Sequence, residues 1–153
     1  MTPLSIDHKE QISSLCTDLQ IPLAEYTFAN LYLFRTLQEF QVLALSEGLA
    51  VAGITYERRP FVLPLFHPKN WPSVIAEAHK PLFPIPEMWF DEARQQCIVD
   101  VNERDSDYIY ETSSIQEYRG RHFDGHRNAL RSLLDDHEVS ARPLSPCGES
   151  GWV

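Results

Sequence analysis

Over the first twenty residues apolar positions recur at helical intervals. Ile12, Leu15, Cys16 and Leu19 predict a helix over 6–19. Ile21-Pro22 closes it, because proline pushes the residue before it out of helical conformation. Thr27 reads as the N-cap of a second helix, "FANLYLFRTLQ". That segment is apolar on nearly every side, so deep burial is expected. The pattern then changes to short apolar runs. "FQVLALS", "LAVAGITY" and "PFVLPLF" read as strands, separated by tight turns at Glu47-Gly48 and at Glu57-Arg58-Arg59. Such short connections predict an antiparallel meander. Pro64 inside the third run calls for an edge position or a bulge.

Helical spacing returns in "NWPSVIAEAHKPLF", with Asn70 or Ser73 as cap and Pro81 as the stop. "IPEMWFDEARQQ" is a shorter helix, with Pro86 at its start and acids in its first turns, where the helix dipole favours them. "CIVDVNERDSDYIYET" reads as a strand pair or one bulged strand, clearest at Tyr108-Ile109-Tyr110. Ser113 or Ser114 is the expected cap of the next helix, with Glu117 closing a capping box. That helix is expected to run through "GRHFDGHRN" and "ALRSLLDDH", followed by a last strand, "EVSARPLS". The resulting order predicts an α+β domain with a mostly antiparallel sheet flanked by helices. One domain over 1–145 and an irregular tail over 146–153 are expected.

Composition adds mainly exclusions. The 153 residues suffice for one core without staples. A net charge of −9 argues against a surface that binds nucleic acid throughout, while leaving room for a local basic patch. No apolar run is long enough for a membrane span, and the N-terminus lacks the pattern of a secretory signal. Three scattered cysteines, Cys16, Cys97 and Cys147, read as reduced thiols in a cytoplasmic protein, not as a disulfide framework or zinc site.

The segment with the most candidate chemistry is "GRHFDGHRN", residues 120–128. His122 and His126 lie four apart and would share one helical face, which is a start for zinc. No H-E-x-x-H pattern accompanies them and Gly125 loosens the helix between them, so a solvated pair is the better reading and no metal is expected. Arg121, Arg127 and Arg131 form a basic island in an acidic chain. Guanidinium forks suit phosphate or carboxylate, and Asp124 or Asp135 could equally be their partners. Glu25, Asp105 and Asp107 could act as acid–base carboxylates, but no spacing marks a pair. Tyr26, Phe28, Tyr32 and Phe34 are read as core, and Trp71 and Trp89 as anchors of helices on the sheet. No catalytic residue can be assigned.

Two stretches together resemble a bacterial family related to the C-terminal region of phosphatidylglycerol lysyltransferase. "AEYTFANLYLFR", residues 24–35, resembles that family's S-E-Y-x-F-x-N-L-Y-x-W-R signature. Residues 105–146 resemble its later segment, in which a D-Y-x-Y strand precedes an L-x-G-R-x-x-x-x-K-R-N helix and a strand ending near R-P-L. The resemblance implies a GNAT-like (acyl-CoA N-acyltransferase-like) fold and kinship with Fem-type aminoacyl-tRNA-dependent transferases, in which two such domains stand in tandem. This chain resembles the N-terminal half only. The implied site residues are Arg121, Arg127 and Asn128, with Arg131 beside them, contacting an anion or tRNA; Asn128 is expected to pair with a buried polar group. The Q/R-x-x-G-x-G/A loop that cradles coenzyme A pyrophosphate is missing, so no acetyl-coenzyme A is expected.

Three readings follow. The chain reads as an N-terminal half-domain of a phosphatidylglycerol lysyltransferase-like or aminoacyl-tRNA-dependent acyltransferase-like protein, inactive alone; as a non-catalytic partner-binding or scaffold domain; or as a stand-alone acyltransferase assembled as a homodimer. A second GNAT-like domain or a second copy is the expected partner, with aminoacyl-tRNA as the substrate of the complete protein.

Overall fold

A computed structural model describes residues 1–102 and 110–140. The chain divides into two compact units, Met1–Asp107 and Tyr108–Val153. The described residues combine helices with a four-stranded antiparallel sheet, an α+β architecture.

In the first unit the sheet order is β1-β2-β3-β4, formed by Thr2–Pro3, Gln41–Leu45, Gly48–Ile54 and Pro60–Pro64. Leu45 pairs with Gly48, so Ser46 and Glu47 form a two-residue turn. Gly48 is needed beside that turn for room: a Cβ there would lie 2.7 Å from the Phe66 ring. The β3–β4 connection is closed by Thr55 and Arg59, whose amide and carbonyl bond at 2.9 Å. Pro64 occupies the last position of β4, one of the two end strands of the sheet, where its missing N–H costs no bond to β3. Beyond β4 the chain returns in parallel at Leu82, opposite Val62. Val62 N–H donates to the Pro81 carbonyl and Phe83 N–H to the Val62 carbonyl, each at 2.9 Å.

Helices α1 (Lys9–Leu19) and α2 (Phe28–Phe34) lie between β1 and β2 in the chain. Ile12 and Cys16, one turn apart, are the residues that α1 buries. The helix ends at Gln20, which takes a left-handed conformation before Pro22. Thr27 caps α2 as expected, its hydroxyl accepting from Asn30 N–H. The expectation of all-round burial fails for this segment: Phe28 and Leu31 are buried, while Leu33 is 73% and Leu37 60% exposed. Phe28 and Leu31 share one face and Leu33 projects from the opposite one, and a seven-residue helix presents only one face to the core.

Helix α3 (Trp71–Ala78) is capped by Asn70 and stops at His79, before Pro81. Helix α4 (Phe90–Gln96) follows a 3-10 turn, Glu87–Trp89. Trp71, Tyr26, Ile12, Leu31, Leu63 and Val51 are fully buried and form the centre of this unit. Burial of side chains of this size contributes about 1.5–3 kcal/mol each. The strand expected after α4 does not form over 97–102, and its clearest part, Tyr108-Ile109, lies outside the described residues.

In the second unit the single long helix is corrected to two. Helix α5 (Thr112–Glu117) begins after Glu111, so Ser113 and Ser114 lie inside it and cap nothing. Tyr118 turns left-handed (φ 46°), Gly120 has φ 95°, and a 3-10 turn at Arg121–Phe123 leads into α6 (Asp124–Asp136). The positive φ at Gly120 is one that L side chains rarely adopt, so the break is written into that glycine. The expected last strand is absent over 138–140, and its remainder lies outside the described residues.

Candidate functional site

Arg127 organises the second unit. Its guanidinium bonds to the Tyr118 carbonyl, to the Gly120 carbonyl at 3.0 Å and to the Asp124 carboxylate. These partners span the break between α5 and α6, so one planar fork ties the end of one helix to the start of the next. Arg121, Asn128 and Arg131 are exposed. The expected burial of Asn128 against a polar partner is therefore not met. Arg121 precedes α6 and Asn128 and Arg131 lie on it, all in one short segment.

His122 and His126 do not share an α-helical face, because His122 falls in the 3-10 turn. Their rings instead surround the buried Phe123, at 4.2 and 5.6 Å, and His126 stacks on Tyr118 at 5.6 Å. No group of three or more His, Cys, Asp or Glu side chains placed to hold a metal occurs among the described residues. Of the other candidates, Asp105 and Asp107 lie outside the described residues.

In the first unit the turn between β2 and β3 grips both ends of α3. The Glu47 carboxylate accepts from Lys69 N–H at 2.6 Å and from Asn70 N–H at 3.0 Å. Glu77, near the other end, accepts from Ser46 N–H at 3.0 Å and from its hydroxyl at 2.7 Å. Those bonds to Ser46 hold the Glu77 carboxyl below its ordinary value of 4.5. Asn70 Oδ1 accepts from Ser73 N–H, so the amides that open α3 are met by this chain's own acceptors. The Glu47 and Glu77 contacts escaped the sequence pattern because their partners stand 22, 23 and 31 positions away.

Beside α3 lies an aromatic group. The His67 ring stands 4.9 Å from that of Trp89 and 6.2 Å from that of Trp71, and its Nε2 is 3.5 Å from Glu92. Tyr26, from the signature-like segment, meets Trp89 edge-on and donates its hydroxyl to the Pro84 carbonyl at 3.1 Å. Of the aromatic residues read as core, Tyr26 and Phe28 are buried, and Tyr32 and Phe34 are partly buried and packed against the core. The segment's closing Arg35 lies 3.7 Å over the Tyr32 ring. A shallow groove of about 440 Å³ runs between α1 and the start of α2, lined by Lys9, Ser13, Cys16, Thr17, Tyr26 and Phe28. Burial pushes the Cys16 thiol up to about 11, which makes it a poor nucleophile near neutral pH. Among the described residues no helix is long and apolar enough to cross a membrane.

Comparison with family models, with curated proteins and with solved structures finds no match.

Proposed function

We propose that this chain is the first, GNAT-like half of an aminoacyl-tRNA-dependent acyltransferase-like protein. On this reading it works with a second domain or a second copy, not as a self-contained coenzyme A enzyme. The observation that carries the reading is the chain order in the first unit. One strand, two helices, an antiparallel meander, a helix and a parallel return beside β4 at Leu82 follow one another, an order compatible with the early part of such a domain. The placement of Glu47 supports the choice against coenzyme A. A pyrophosphate approaching the β4–α3 connection would meet a carboxylate already bonded to two of its amides. Arg121 and Arg131, both exposed, are the cations left to contact tRNA phosphate, with Asn128 between them and Arg127 holding the segment in shape.

Filter binding with aminoacyl-tRNA and calorimetry with coenzyme A test this. Retention of tRNA should fall steeply with added salt and weaken in Arg121→Ala and Arg131→Ala. Coenzyme A should give no binding heat. Micromolar coenzyme A binding overturns the reading. Absence of tRNA binding by the full natural protein favours the partner-binding domain. That second reading has its own support: among the described residues no charged side chain is buried, whereas catalytic groups commonly are.

A further inference from the structure

Four rings meet where α5 gives way to α6. Phe123 is buried at their centre, with the rings of Tyr118 at 5.5 Å, His122 at 4.2 Å and His126 at 5.6 Å. The Tyr118 and His126 rings also stack on each other, their planes 21° apart. His122 and His126 are exposed and Tyr118 is half-buried, so the cluster presents flat π surfaces to solvent. The Arg127 fork holds the Tyr118 and Gly120 carbonyls, and Gly120 lies close against the His122 ring, where a Cβ would be 3.0 Å from Cε1. The rings are thus held in place by this chain's own contacts before any ligand arrives.

Charge lies beside them. From Tyr118 to Arg127 three arginines stand against one aspartate, in a chain of net charge −9. Asp124 is taken up by Arg127, and Glu117, just upstream, by Arg119 at 2.6 Å. Arg121 adjoins His122 in the chain and is exposed, and its guanidinium has no ion pair or hydrogen bond among the described residues. A free guanidinium next to exposed flat rings fits a ligand that carries phosphates and unpaired bases side by side. A duplex offers the phosphates but keeps its bases stacked inside.

We propose that the stacked Tyr118–His126 pair and His122 form a platform for the bases of single-stranded RNA, with Arg121 on the adjoining phosphate. This rests on the tRNA reading above and narrows it to the unpaired nucleotides of such a molecule. With two exposed imidazoles the platform takes about two bases. It selects single strands over duplex without selecting sequence, since every base has a π face.

Fluorescence anisotropy of the full chain tests this with two labelled RNAs of equal phosphate number, an unstructured single strand and a blunt-ended duplex. The single strand should bind at least about tenfold more tightly. His126→Ala should lose about tenfold on the single strand and have little effect on the duplex, with helix content retained by circular dichroism. His122→Ala should act in the same direction. His126→Phe, which keeps a ring, should recover most of the loss. Arg121→Ala should weaken both RNAs and flatten the salt dependence. Equal binding of the two RNAs, or a single strand indifferent to both alanine substitutions at the histidines, would overturn the platform while leaving the tRNA contact standing. Binding of neither RNA would overturn both.

Discussion

Five N–H donors on one rigid fork let a single arginine satisfy several acceptors at once, and Arg127 uses this where the chain breaks between α5 and α6. Tyr118 and Gly120 both leave the right-handed helical region, and their carbonyls need donors that no helix supplies. Arg127→Ala should therefore destabilise this segment by about 1–3 kcal/mol, read as faster amide hydrogen exchange over 112–136. Arg127→Lys should recover little, since an ammonium is not a planar fork. Asn128→Ala, on the exposed face, should stay within about 0.5 kcal/mol of wild type. Equal losses in the two alanine variants would rule out this division of labour. The adjacent pair shows how far residue types alone could be read. An arginine and an asparagine were both visible as candidates, but which one points inward depends on where the helix starts. That start is set by the glycine break upstream, and helical periodicity does not reveal it.

At the scale of elements, the β2–β3 turn and α3 form a brace with a carboxylate at each end. Glu77 titrates lower in the folded state than in the unfolded chain, because Ser46 bonds to its ionised form. A carboxyl lowered in this way adds stability above its ordinary value of 4.5, and that contribution is lost as pH falls through the folded-state value. The melting temperature of wild type should thus exceed that of Glu77→Gln near neutral pH, with the gap closing below pH 4.5. A gap that is constant with pH would show that Glu77 acts by some route other than its charge. Elements with local signals were readable in advance. The meander followed from short apolar runs and two turns, and the caps at Thr27 and Asn70 from residue type. The depth of α2 and the brace were not, since both depend on what lies across space.

At the scale of the molecule, an α+β class was legible because the alternation of periods along the chain is strong. The division into units at Asp107 was not, as no proline- or glycine-rich linker marks it. The first unit's outer margin has a consequence of its own. Two residues, Thr2 and Pro3, are all that β1 contributes to its pairing with β2, and Leu4 fastens them through its amide bond to the Phe40 carbonyl at 3.0 Å. Without this clasp, β2 would offer unpaired backbone groups beside apolar Val42 and Leu43, a template for strand addition by any extended chain. Deletion of residues 1–4 should turn a clear solution turbid on mild warming, at concentrations where the intact chain scatters no more light than before. A shortened chain that remains clear would show that the margin is guarded elsewhere. In the intact protein, a four-residue hem decides whether the sheet is a finished fabric or one that keeps taking on thread.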